Sequence, residues 1–262
     1  MSIRRFPVVA ALAFATLLAA PARAALPTVL VLAASASSGP DVQKQITKTA
    51  AFSKVDLFRV DEGTPTVAQL KAYDAAVVYS FLSFKDAKAL GDNLATYLEQ
   101  GGGVVLFDWE AEEIGSYQLA GKFQDVYTLM TPQKSADLSS KLTTLGKINE
   151  QGSPLLGGVT KFTCKAAPCH HLTSAPKNGG VVVAEWADGA PLVIRGNVGG
   201  HNLCELNFFA PSSETGIGEW DVATDGHILI KNALTFVMGG AVKANVFHAL
   251  QNLKKLLTEG ML

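Results

Sequence analysis

The chain predicts an α/β protein built on a mostly parallel sheet with helices on both faces, and three features carry that reading. Ala75 to Tyr79 and Val104 to Phe107 are short apolar runs without polar alternation, the pattern of strands covered on both sides. Between them Ala87, Leu90, Leu94, Tyr97 and Leu98 recur at helical spacing. Gly101, Gly102 and Gly103 then close that helix, because glycine accepts the left-handed backbone of a helix stop. Strand, helix and strand in that order form the crossover unit of a parallel sheet.

The remaining elements follow along the chain. Arg4 and Arg5 precede an uncharged apolar stretch from Val8 to Ala20, Pro21 breaks it, and Ala22-Arg23-Ala24 fits the small-x-small cleavage rule. Residues 1–24 therefore read as a secretory signal peptide, the apolar run being too short for a bilayer span of roughly 20 residues. Its removal takes three arginines and no acid, which leaves a net charge of about −4 on a chain expected in the periplasm or outside the cell, with no stable membrane anchor. No basic run or aromatic-basic interleaving is present, so nucleic acid is not an expected partner.

Thr28 to Leu32 is the first buried strand and runs into the small polar loop from Ala33 to Gly39, ahead of an amphipathic helix starting near Asp41. Such junctions dock ligands in doubly wound folds, but one glycine and no P-loop lysine exclude a phosphate fingerprint, and no cofactor is expected. Val55 to Val60 alternates as a strand nearer an edge does. Thr64-Pro65-Thr66 opens a short helix to Tyr73, with Pro65 suited to its first turn. Residues 114–180 mix short segments with glycine and proline punctuation and read as an elaboration on the sheet within one domain, 25–240. Val181 to Trp186, Pro191 to Val198 and His201 to Phe209, joined by glycine-bearing turns, predict an antiparallel meander. Thr224 or Asp225 can cap a helix carrying Leu229, Ala233, Phe236 and Val237 on one face. A last amphipathic helix over 241–262 aligns Val242, Val246, Leu250, Leu253 and Leu257.

The three cysteines leave alternatives open. In an exported protein Cys164 and Cys169, in FTCKAAPCHH, suit a small-loop disulfide. The same pair with His170 and His171 supplies donors for a metal, and Cys169-His170 follows a haem-attachment spacing stretched by two residues. Cys204, inside a strand-like run, reads as a core residue.

The order of elements, the YDAAVVYS strand, the YLEQGGGVVLFD junction, the ADGAPLVIR hairpin and the CELNFFAPSS strand end resemble one family group. They are similar to the class I glutamine-amidotransferase-like superfamily, specifically its exported, trehalose-utilisation-protein-like branch, over about residues 28–110 and 181–238. The resemblance implies a flavodoxin-like sheet. It also implies a nucleophilic cysteine on a sharp strand-to-helix turn, with a histidine and a glutamate from near the end of the domain. Here the matching strand end reads LFDWEAEE, so Asp108, Trp109 and Glu110 stand where the thiol would be, and no catalytic residue is assigned.

In an open α/β sheet ligands bind beyond the carboxyl ends of the strands. Those ends supply Ser35, Phe81, Phe84, Asp108, Trp109, Glu110 and Asn207 as candidate ligand-binding residues, with aromatic faces and acceptors suited to a sugar or another polyol. The expected function is recognition of a small polar ligand or a partner protein. The alternative is a carbohydrate-directed hydrolase using Asp108 or Glu110 as base, assisted by His201 or His227. Asp225 and His227 equally suit a helix cap and a first-turn position.

Overall fold

The structure is a computed structural model that describes residues 25–107, 117–131, 137–166, 168–173, 175–216 and 219–239. The proposed signal peptide, Asp108, Trp109 and Glu110, and the 241–262 segment lie outside these residues. Eight strands form one mixed sheet: β1 (Thr28–Ala34), β2 (Lys54–Arg59), β3 (Ala75–Ser80), β4 (Gly103–Phe107), β5 (Leu145–Ile148), β6 (Val181–Trp186), β7 (Pro191–Val198) and β8 (His201–Leu206). Their spatial order is β2-β1-β3-β4-β8-β7-β6-β5. β2, β1, β3, β4 and β8 are mutually parallel neighbours, and β8, β7, β6 and β5 run antiparallel. The expected α/β class with its antiparallel meander is therefore present, and β2 lies at one edge.

Uninterrupted apolar runs yield two cores, because successive strand residues face opposite sides. Val29, Val31, Ala33, Val77, Tyr79, Val105 and Phe107 pack on one face with Val42 and Ile46 of helix α1 (Gly39–Thr47). The same core takes Leu229, Ile230, Ala233 and Leu234 from a helix over 226–239, here α4. Leu30, Leu32, Ala76, Val78 and Leu106 face the other way, onto Leu70 of α2 (Val67–Leu70) and Leu90 and Leu94 of α3 (Ala87–Glu99). Each fully buried leucine contributes on the order of 2 kcal/mol relative to exposure.

Local signals set the ends of these elements. Asp86 caps α3 through Ala89 N–H (2.9 Å), and Gly101 leaves it with φ +98°, a conformation that strains any residue with a Cβ. Gly102 and Gly103 play other parts: a Cβ on Gly102 would lie 2.2 Å from the Tyr97 ring, and Gly103 already begins β4. Pro65 is not in a first turn. Thr66 is the cap of α2, its hydroxyl accepting from Gln69 N–H (3.3 Å) while the Gln69 carbonyl oxygen accepts from Thr66 N–H (2.9 Å), so Pro65 stands outside the helix. Gly199 and Gly200, at φ +61° and +89°, form the two-residue turn that sets β7 against β8.

The elaboration contributes more than coverage. Its LGKI segment is β5, which extends the sheet beyond β6. The Asp225 carboxylate does not cap α4. It accepts from Thr160 N–H (2.8 Å), Lys161 N–H (2.9 Å) and the Thr160 hydroxyl (2.9 Å), tying the elaboration to the base of α4; these donors hold its pKa below the usual aspartate value. Among the described residues no helix is long and apolar enough to cross a membrane.

Candidate functional site

The chain leaves β1 toward β2 on one side and returns to β3 on the other, so the sheet order reverses between β1 and β3. At such a switch the two loops diverge and open a crevice at the carboxyl ends of the strands. Ser35 and Ser38 sit there, just past β1. Their hydroxyls are 2.6 Å apart, and the Ser38 hydroxyl is 3.0 Å from the Tyr79 hydroxyl near the end of β3. Burial of the Tyr79 ring pushes its phenol well above the ordinary tyrosine value, so it stays a neutral donor. The Ser80 hydroxyl, next along β3 and facing the other side of the sheet, is fully buried and has no hydrogen-bond partner among the described residues.

Phe81, 36% exposed, leans on Phe209 with ring centroids 5.4 Å apart, and Phe209 meets Tyr79 edge-on at 6.0 Å. The loops after β1, β3 and β8 thus converge on one aromatic and hydroxyl-bearing mouth, in which Ser35, Ser38, Tyr79 and Phe209 are buried and the Phe81 ring is exposed. Beside it Asp41, in the first turn of α1, accepts from Ser212 N–H (2.6 Å), the Ser212 hydroxyl (2.9 Å) and the Gln45 amide (3.2 Å). Glu219, 1% exposed, accepts from the Thr215 hydroxyl (2.6 Å), and burial raises its pKa, with the negative charge of Asp41 adding to the shift. Asp41, Gln45, Tyr79 and Glu219 were not singled out from the sequence. The four-residue spacing of Asp41 and Gln45 on one helix face was the available signal, and nothing local marked Glu219.

The other candidate positions divide. Ser35 and Phe81 lie at this mouth. Phe84 is 3% exposed and belongs to the core on the opposite face, so its ring is a packing surface and not a stacking platform. Asn207 is fully buried: its amide donates to the carbonyls of His171 (2.9 Å) and Pro191 (2.8 Å), and its oxygen accepts from His171 N–H (3.0 Å). That pattern brackets the elaboration to β7 and the end of β8. Asp108, Trp109 and Glu110, next after β4, fall outside the described residues. His201 opens β8 at the amino end of the parallel strands, about 17 Å along the strand from their carboxyl edge. His227, in the first turn of α4, has its pKa lowered by burial.

All three cysteines are accounted for. Cys164 and Cys169 form a disulfide with Cα atoms 6.1 Å apart. Both sulfurs are thereby committed, which sets aside thioether attachment of haem and metal ligation in the oxidised chain. Cys204 is a free thiol, 1% exposed within β8, and burial raises its pKa far above that of a reactive cysteine.

No family profile matches the sequence, and no curated protein matches it significantly. Solved structures are similar to this chain. A ThuA-like protein from Bacteroides uniformis aligns with TM-score 0.52 and 15% identity over 84% of this chain and 94% of its own. An exo-β-1,4-mannosidase from Opitutaceae bacterium strain TAV5 aligns at TM-score 0.44 and 14% identity, over 70% of this chain and 31% of its own. A carbohydrate deacetylase aligns at 0.48 and 14%, over 80% of this chain and 33% of its own. The ThuA-like match shows a shared fold alone and assigns no activity.

Proposed function

We propose that this chain is an exported recognition domain that binds a small polyhydroxylated ligand, a sugar or related polyol, at the carboxyl-end mouth between β1 and β3. The observation that carries the reading is the convergence there of Ser35, Ser38, Tyr79 and the Phe81–Phe209 pair. Sugars present apolar ring faces flanked by hydroxyls, and a half-exposed aromatic beside hydroxyl groups complements both. Asp108, Trp109 and Glu110 follow β4 in the sequence, and the reading gives them acceptor and stacking roles.

Architecture, cysteine placement and the export pattern are consistent with this reading. The trehalose-utilisation-like resemblance and the shared fold of a ThuA-like protein agree on the architecture. None of the three cysteines stands at the turn directly following β4, where the sequence reads Asp108-Trp109-Glu110, and the one free thiol lies buried inside β8. Export is supported by the N-terminal charge and hydropathy pattern and by the buried Cys164–Cys169 disulfide, a bond that persists in oxidising compartments.

The test is a thermal-shift screen of mono- and disaccharides on the mature chain. A ligand at about 100 times its Kd stabilises the folded state by about 2.7 kcal/mol. Phe81→Ala and Asp108→Ala should each abolish the shift while the ligand-free protein melts within about 2 °C of wild type. A panel that moves no melting temperature, or a shift that survives both substitutions, overturns the reading. Release of reducing sugar from a glycoside by wild type, lost in Asp108→Ala, would replace recognition with hydrolysis.

A further inference from the structure

A second constellation adjoins this mouth through Phe209, whose N–H donates to Cys169 O (3.0 Å). We propose that the Cys164–Cys169 disulfide and a zinc site are two states of one cluster, and that reduction turns Cys164, Cys169 and His170 into the ligands of a zinc ion. The two sulfurs and a ring nitrogen of His170 already lie within 4.8 Å of one another, and all three residues are buried. Thiolate and imidazole are the donor types zinc prefers, and tetrahedral coordination needs donor separations of about 3.5 Å. Opening the disulfide lets the sulfurs reach that spacing by side-chain rotation while the Cα atoms stay 6.1 Å apart.

The backbone that presents these donors does not depend on the S–S bond. Cys164 N–H donates to Thr143 O (2.9 Å), Phe209 N–H donates to Cys169 O (3.0 Å), and Ser139 N–H donates to His170 O (2.9 Å). The His170 ring is held twice more. It packs against Trp186 at a tilt of 32° with centroids 4.9 Å apart, and its Nε2 is 2.8 Å from Asp188 Oδ2. A carboxylate on the outer nitrogen is the usual support of a metal-ligating histidine, because it fixes the tautomer and strengthens the other nitrogen as a donor. Two thiolates, one neutral imidazole and Zn²⁺ sum to zero charge, so the occupied cluster avoids the cost of burying a net charge.

The chemistry balances with a dithiol as reductant. The dithiol delivers two electrons and two protons to the Cys164–Cys169 bond, which breaks into two thiols as the reductant closes its own disulfide. Zn²⁺ then displaces both thiol protons to solvent as it binds. The Asp188 carboxylate is a positioning group in this scheme and not a ligand.

The experiment uses the full mature chain, reduced with excess dithiol, desalted under anaerobic conditions and titrated with Co²⁺ and then Zn²⁺. The reduced chain should bind Co²⁺ with a sulfur-to-metal charge-transfer band that Zn²⁺ abolishes, whereas the oxidised chain, the same polypeptide without mutation, shows none. Asp188→Asn should weaken zinc binding about 10- to 100-fold with two titratable cluster thiols retained. The proposal is overturned if the reduced chain keeps its circular dichroism but shows no band, or if the band survives Cys169→Ser. Loss of fold on reduction also overturns it, since the cluster must stand without the covalent bond.

Discussion

The two halves of the sheet are held by different physics. In the half made by β1 to β4, every strand side chain from Val29 to Ala34 and from Ala75 to Ser80 is buried, and almost all of it is hydrocarbon or aromatic ring packed on helices. In the half made by β5 to β8 and the elaboration, buried polar groups do much of the joining. Asn207 brackets His171 and Pro191, the Glu205 carboxylate receives Leu129 N–H (2.6 Å) and Met130 N–H (2.9 Å), Asp188 holds His170, and a disulfide closes the loop between them. The difference teaches how irregular chain is fixed. A helix satisfies its own backbone and needs only an apolar face, whereas loops buried against a sheet need named partners for each amide and carbonyl.

The sharpest way to break this comparison is Asn207→Ala. It strands one buried N–H and two buried carbonyls, and urea denaturation should show a loss of about 4 kcal/mol. A cost below about 1 kcal/mol would mean that the bracket is ornamental. In the other half, Leu32→Ala should cost about 3 kcal/mol by creating a cavity, and the loss should be the same in oxidising and reducing buffer because Leu32 packs in the core on the face opposite Cys164 and Cys169. Replacing both Cys164 and Cys169 by serine should cost about 2 kcal/mol, as expected for a loop this short, and differential scanning calorimetry can check it.

The smallest effect sharpens the picture at the seam between elaboration and α4. Asp225→Asn should cost about 1 kcal/mol at pH 7. The folded-state pKa of Asp225 lies below its unfolded value, so its contribution is complete above the ordinary aspartate range and is lost as the pH falls through the depressed value. The difference between wild type and Asp225→Asn should therefore shrink as denaturation curves are taken from pH 7 toward pH 3. A difference that stays constant with pH would assign the cost to packing.

Much of the fold was legible because it rests on period and punctuation. Buried parallel strands, the α3 face and the glycine turns all follow from local sequence, and their bounds agree with the structure to within a few residues. β5 was not, since LGKI is four residues with one apolar pair, and only pairing with β6 makes it a strand. The candidate site was half legible. Phe81 and Phe84 look alike in SFLSFK, yet one leans on Phe209 at the mouth and the other is sealed in the opposite core. Asn207 and Asp225 show the same limit: their chemistry was plain, but their partners lie 36 and 65 residues away along the chain.

By itself the sequence determined the alternation of strand and helix, the two-faced burial of the central strands, the meander and the proximity of Cys164 to Cys169, because each depends on residues within a few turns of one another. The tertiary structure alone decided that the sheet reverses between β1 and β3, that Ser35, Tyr79 and Phe209 share one mouth, and that Glu219 is buried with a raised pKa under the influence of Asp41. The physical reason is that strand order, and the dielectric around a buried acid, arise only when distant segments exclude water together.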